Sequence, residues 1–231
     1  MIRTIKGNNT LSSDLSGPSI VYQRISKMFN KYIPLIPSQN RYNLTLCKDK
    51  KFLWFRVAKV GTRTIFNIFE NSNIKLDAEQ PFGIHYPLKK YAKYFKFAFV
   101  RNPWDRLVSC WHNKVVENNY FNFTDYELAQ MKNFSKFINF VENIDVENCD
   151  LHLRLQTKLI DLNNIDYIGR FEKFEIDLKN VLKIINLNDI TINKRNVSRN
   201  RLNYREYYNS ELKARVEKIY YKDVNILSYK F

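Results

Sequence analysis

Three short apolar runs punctuate the chain, and each leads into apolar residues at helical spacing. KFLWFRVA, residues 51–58, is too brief for a helix and rich in strand formers, which predicts a central and parallel strand. After the turn KVGTRT, the spacing of Ile65, Phe66, Ile68 and Phe69 predicts a short helix. FKFAFV, residues 95–100, predicts a second strand. RNP follows it, and Trp104, Leu107, Val108, Trp111 and Val115 then recur at helical intervals, with Pro103 suited to a first helical turn. DYIGRFE, residues 166–172, predicts a third strand with a turn at Gly169, and Phe174, Leu178, Val181, Leu182 and Ile185 mark the helix after it.

Between these units, residues 124–160 pattern as helices near TDYELAQMKN, FSKFINFVEN and LHLRLQTKLI. Residues 188–205 are polar, basic and irregular, and the chain ends in a helical stretch opened by an N-cap at Asn209 or Ser210. Gly, Pro, Ser and Asn crowd residues 1–45, interrupted by a short helix at about Ile20 to Phe29. This predicts a partly ordered arm before a single domain at 46–231. Strands separated by helices predict an α/β fold with a central, mostly parallel sheet flanked by many helices.

Composition narrows the classes. Seventeen Phe, fifteen Tyr and three Trp supply a bulky core, which excludes a wholly disordered chain. A formal charge of +15 points to polyanions: nucleic acid, anionic lipid, an acidic polysaccharide or a phosphate-rich cofactor. Cys47, Cys110 and Cys149 are widely spaced and include no CxxC, so thiols are expected, with neither a disulfide framework nor a zinc site. No run approaches 18 apolar residues and MIRTIKGNNT lacks a signal-peptide core, so a cytoplasmic protein without a transmembrane segment is expected. SKMFNKYI is weakly amphipathic and allows peripheral contact with the inner face of a membrane.

Two constellations carry candidate chemistry. Lys59, Gly61, Thr62, Arg63 and Thr64 follow the first strand, where a small-residue turn and a helix start can hold a phosphate-like group. An ordinary strand-to-helix turn with solvent-facing charges would look the same from this stretch alone. The pattern is neither the GxxxxGK[ST] of a phosphate-binding loop nor the GxGxxG of a dinucleotide fold, since Lys59 precedes the only Gly. After the second strand, an Arg101 fork and the Ser109 hydroxyl can hold a second phosphate; Arg106 is near the same face or pairs with an acid. Two such sites suggest one nucleotide with phosphates at both ends. Trp104 and Trp111 are expected in the core.

AKVGTRT and FVRNPWDRLVSCW resemble the two nucleotide-binding motifs of the carbohydrate sulfotransferase family, including its heparan 2-O- and chondroitin-type branches. The resemblance continues through YIGRFEKFEIDLKNVL and the C-terminal stretch, about residues 50–231. It implies a P-loop-like sulfotransferase fold and transfer of a sulfuryl group from 3'-phosphoadenosine 5'-phosphosulfate (PAPS) to a hydroxyl of a carbohydrate or glycoconjugate, leaving adenosine 3',5'-bisphosphate. Lys59, Val60, Gly61, Thr62, Arg63 and Thr64 then match the phosphosulfate loop, with Lys59 steadying the leaving oxygen. Arg101 and Ser109 match the pair on the 3'-phosphate, Arg170 lies toward the cofactor, and Ser198 and Arg201 belong to a basic loop closing over the nucleotide. His85 stands where the heparan 2-O-type branch has its general base.

Two departures stand out: Ala58 where Pro is usual, and Arg63 where a small or hydroxyl residue is common. An imidazole with its ordinary pKa near 6.5 suits the removal of a hydroxyl proton as attack proceeds. His112 is expected to be structural or cleft-lining, His152 to be either, and Glu172 and Asp105 to orient arginines or form simple salt bridges. No metal is called for; the sequence does not separate a capsular, lipopolysaccharide or glycosaminoglycan-like chain, a small glycolipid and a peptidyl tyrosine as acceptor, and an acidic glycan suits the charge. The competing class is a basic nucleic-acid- or polyanion-binding module, or another nucleotide-dependent transferase; Lys and Arg are spread over the chain with no recognisable nucleic-acid motif.

Overall fold

The computed structural model describes residues 37–79, 83–187 and 202–231. The expected helix at Ile20–Phe29, the amphipathic SKMFNKYI, and the basic-loop residues Ser198 and Arg201 lie outside them.

Five strands form one sheet in the order β3-β1-β2-β4-β5. These are β1 (Leu44–Cys47), β2 (Phe52–Phe55), β3 (Ala78–Glu79), β4 (Phe95–Val100) and β5 (Tyr167–Arg170). β2 pairs parallel with β4, and β4 with β5. β1 pairs antiparallel with both β2 and β3. The sheet is therefore mixed, where a mostly parallel one was expected: β1 and β2 form a hairpin through Lys48–Lys51, too tight for a crossover helix. β1 and β3 escape sequence reading because four and two residues carry almost no periodic signal.

The central strands are apolar on both faces because helices cover both. Phe52, Leu53, Trp54 and Phe55 are all buried, as are Phe97 through Val100. Helix α1 (Thr62–Asn71) lays Phe69 against Phe52 and Trp54, at ring-centroid distances of 5.2 and 6.1 Å. Helix α2 (Pro103–Trp111) starts at an Asn102 cap, whose Oδ1 accepts from the Trp104 amide at 3.1 Å. Trp104 and Trp111 are core residues, and each indole N–H donates to a backbone carbonyl.

Helices α3 (Asp125–Met131), α4 (Phe134–Glu142), the short α5 (Gln156–Leu159), α6 (Phe174–Ile184), α7 (Ser210–Ile219) and α8 (Tyr221–Ile226) complete the described body. The helix expected at LHLRLQTKLI shrinks to α5, since the Asp150 carboxylate captures the His152 amide at 2.9 Å and holds an irregular turn there. Gly169 is a strand residue of β5, not a turn. A Cβ at that position would lie 2.5 Å from the Phe99 ring, so the neighbouring strand's phenyl occupies the space.

Topology fixes where a site can be. β2, β4 and β5 run parallel and end together at Phe55, Val100 and Arg170, and both motifs leave the sheet along that edge. In open α/β sheets this carboxyl edge is where ligands bind.

Candidate active site

The first motif folds as a tight loop closed by its own residues. Lys59 and Gly61 both take left-handed backbone conformations, φ 72° and 87°. The Thr62 hydroxyl donates back to the Val57 carbonyl at 3.0 Å. Gly61 caps α1, whose first-turn N–H groups have no carbonyl four residues earlier within the helix. Val60 is fully buried, leaving only its main chain to meet a ligand; Thr64 is buried in the first turn, and Arg63 is exposed. The phosphate expectation for Thr62 is thus modified, because its proton serves the loop and its backbone N–H remains at the helix start.

Gly61 has two reasons to lack a side chain. A Cβ would meet the Phe174 ring at 2.7 Å, and φ 87° is strained for any L-residue. Gly61→Ala is expected to cost about 2–4 kcal/mol from conformational strain and overpacking together. That corresponds to a thermal midpoint lower by about 5–15 °C. A melting curve matching the wild type would contradict this account of the loop.

The second motif locks onto the first. Arg101 is buried; its Nε donates to Asp105 at 2.7 Å and its Nη1 to the Lys59 carbonyl at 3.0 Å. The Phe171 ring lies under it with the guanidinium carbon 4.0 Å from the centroid. Gln156 fixes the Arg101 backbone from both sides, accepting from its N–H and donating to its carbonyl. Among the described residues Arg106 forms no ion pair. Its three nitrogens donate to the carbonyls of Ala58, Arg154 and Leu151. In α2 every residue is buried except Ser109, whose half-open hydroxyl carries no side-chain hydrogen bond among the described residues.

Past Ser109 the helix widens into a π turn, His112–Val116. It carries Asn113, whose Oδ1 accepts from Lys59 Nζ at 2.9 Å, and Lys114, whose Nζ sits 3.8 Å from the Tyr120 ring centroid. Burial is the main cause that pushes the Lys59 ammonium down to about 8, and Lys114, Arg101 and Arg63 push the same way. Burial likewise lowers Lys114. Among the described residues, no carboxylate forms a salt bridge to Lys59, Arg63 or Lys114. Crowding cations around a half-buried loop is unfavourable unless an anion joins them.

His85 is exposed on the segment 83–87, which pairs with residues 37–42. Residues 37–42 precede β1, and Leu44 pairs with Phe55, so they continue beyond the carboxyl end of β2. His85 therefore stands over the same sheet edge as the Lys59 loop. Its Nδ1 lies 2.7 Å from the Ser38 carbonyl, so the neutral ring carries its proton there and presents Nε2 as the acceptor.

A second histidine has a carboxylate partner. His152 Nδ1 is 2.8 Å from Asp150 Oδ1, and the Tyr120 hydroxyl donates to Asp150 Oδ2 at 3.2 Å. Burial lowers the His152 pKa against the pull of Asp150, with Lys114 and Lys59 adding to the lowering. His112 faces Glu117 at 3.1 Å.

Arg170, the last residue of β5 on this edge, is held by the C-terminal segment. Its Nη2 donates to the Leu227 carbonyl at 2.7 Å and its guanidinium lies over the Tyr229 ring, so it ties β5 to the C-terminal segment. Among the described residues Glu172 bonds to no arginine; it accepts from the Asn102 amide and the Tyr229 hydroxyl. The structure thus gathers Lys59, Gly61, Thr62, Arg63, Arg101 and Ser109 around one edge. Sequence reading missed Asn113, Lys114 and Asp150, although Asn113 lies four residues beyond Ser109 and so on the same helical face. Cys47 and Cys110 are buried free thiols, and Cys149 is half-buried and free. Among the described residues no cluster of three or more His, Cys, Asp or Glu is placed to hold a metal, and no helix is long and apolar enough to cross a membrane.

An α/β sheet whose carboxyl edge gathers Lys59, Arg63 and Lys114 with no salt-bridged carboxylate among the described residues, beside a left-handed glycine cap and an open serine, can accept an anionic ligand. The family model described as the sulfotransferase family matches residues 42–230, and the chain belongs to that family. No curated protein and no solved structure gives a significant match.

Proposed function

We propose that the protein transfers a sulfuryl group from PAPS to a hydroxyl of a carbohydrate or glycoconjugate, within a P-loop-like domain of residues 46–231. Family membership supports the cofactor class. The observation that carries the reading is the loop at 59–64, where half-buried Lys59 sits among Arg63, Lys114 and Arg101 with no salt-bridged carboxylate of its own among the described residues. Those residues fit a polyanion with a charge at each end: the Lys59 loop and the α1 N-terminus for a phosphosulfate, Ser109 with Arg101 for a 3'-phosphate. When bound, PAPS supplies the sulfuryl group and the phosphate oxygen that leaves.

The chain's own part is positional and electrostatic. Lys59 donates to the leaving oxygen as negative charge grows there, and the loop N–H groups hold the flanking oxygens. His85 Nε2 takes the proton of the acceptor hydroxyl, with Nδ1 anchored on Ser38. Arg170, Ser198 and Arg201 stay in the proposal on the strength of the resemblance. So does a preference for acidic acceptors, drawn by the excess of Lys and Arg. Three free thiols support a reducing, cytoplasmic setting for a bacterial-type enzyme.

Incubation with PAPS and a panel of glycans, reading adenosine 3',5'-bisphosphate release together with sulfated product, tests the activity. Absence of calorimetric binding of either nucleotide would sink the cofactor assignment. His85→Ala is expected to lower kcat by about 10²–10⁴-fold, the usual share of general-base catalysis. The Asp150 contact favours a second reading of this one role, with His152 as the base. Full activity in His85→Ala with loss in His152→Ala would transfer the role to the buried pair.

A further inference from the structure

Lys59 is fixed more thoroughly than a loop lysine needs to be. Its backbone is held in a left-handed conformation and its carbonyl accepts from Arg101. Its side chain ends on Asn113 Oδ1 at 2.9 Å. Asn113 is itself oriented: its Nδ2 donates to Glu117 Oε2 at 2.8 Å. Reversing the amide would set an NH₂ group against an ammonium and a carbonyl against a carboxylate, so only one orientation is compatible with both neighbours. The π turn places this amide. Glu117 N donates to the His112 carbonyl five residues back, and the Asn118 side chain ties down the Asn113 carbonyl. Such single π turns occur often at functional sites, where the widened turn re-aims a side chain.

We propose that Asn113, held in orientation by Glu117, is the positioning residue for Lys59, setting where its ammonium stands for sulfuryl transfer. This rests on the sulfotransferase reading for its consequence, but the contact itself belongs to the free protein. An ammonium has three donors. Asn113 takes one and fixes the long stem, leaving two for oxygens on the open side. The other groups around Lys59 cannot take this part. Arg63, Arg101 and Lys114 repel it, the Cys110 thiol is buried and pushed up to about 12, and His152 is a partner of Asp150. Glu117 reaches Lys59 only through the amide.

The test reads Lys59 before any cofactor is present. In ¹³C-lysine-labelled protein, with the Lys59 signal assigned from Lys59→Arg, its titration midpoint is expected at about 8 in the wild type. Asn113→Ala removes the acceptor and is expected to move that midpoint down by about one unit, a tenfold change in proton affinity. Asn113→Asp, nearly isosteric, replaces the carbonyl with a charge and moves it up by at least as much. With PAPS and acceptor, Asn113→Ala is expected to lose about 10–100-fold in kcat, the scale for a misplaced group. Adenosine 3',5'-bisphosphate affinity should change less than about threefold. Circular dichroism establishes that both variants are folded. Lysine titrations identical in all three proteins, or a kcat within twofold of wild type in folded Asn113→Ala, would overturn the proposal. A protein that binds no nucleotide would instead defeat the cofactor reading, leaving the titration to decide the Asn113–Lys59 contact by itself.

Discussion

Lys59→Ala is expected to lower turnover by about 10²–10³-fold, the penalty for removing one preorganised donor from a site where negative charge develops. Nucleotide affinity should fall far less, because the α1 N-terminus and Ser109 with Arg101 remain. The loss therefore belongs to kcat, as for an interaction made mainly in the transition state. Lys59→Arg should not restore it: a planar fork needs more room than a half-buried stem occupies, and the Asn113 carbonyl matches a single ammonium. A pH signature accompanies this. The charged form is the active one, and burial with neighbouring cations holds the group at about 8 in the free protein. Activity measured as kcat/KM should thus fall as pH rises through about 8. The limb in kcat should lie higher, since a bound anion favours the ammonium. Initial rates over pH 6–10 for wild type and variant check both; a variant within threefold of wild type would remove Lys59 from the chemistry.

Much of this edge was legible as residue types, and little of it as contacts. The strands at 95–100 and around 52–55 announced themselves because burial on both faces leaves continuous apolar runs. The hairpin strand β1 did not, since LTLC is short and its partner is set by a turn rather than by periodicity. Spacing after strands is enough to place Lys59, Gly61 and Ser109 at this edge. In sequence Arg101 reads as a phosphate fork and Arg106 as its neighbour or the partner of an acid. Only packing shows their partners: one meets Asp105 and the Lys59 loop, the other meets three carbonyls. Arg170 shows the same limit, for nothing in DYIGRFE reveals that residues 227 and 229 would come to meet it. Asn113 was hidden by its ordinariness. Its role depends on a π turn, which arises where backbone bonds shift by one residue and leaves no compositional trace.

Arg106→Met is the substitution expected to damage stability most. Arg106 is 2% exposed, and its guanidinium donates to the carbonyls of Ala58, Leu151 and Arg154 at 2.9–3.1 Å. Methionine fills most of the volume and donates nothing, so three acceptors lose their partner inside the fold. At about 1–3 kcal/mol for each unsatisfied group, with water repairing some of the loss, the cost should be about 3–5 kcal/mol. That is a large part of the 5–15 kcal/mol typical of a folded domain, roughly. Arg106→Lys keeps the charge but has one nitrogen where three carbonyls converge from two segments, so it should recover only a minor part. The damage should also reach the site before global unfolding. Ala58 leads into the Lys59 loop, and residues 151–154 carry His152, so releasing both slackens the segments that hold Lys59 and His152. Urea titrations followed by tryptophan fluorescence should show the midpoint falling with little change in slope. A midpoint equal to the wild type would mean that water reaches the three carbonyls, and that the loop is held by Arg101 and Thr62 without this arginine.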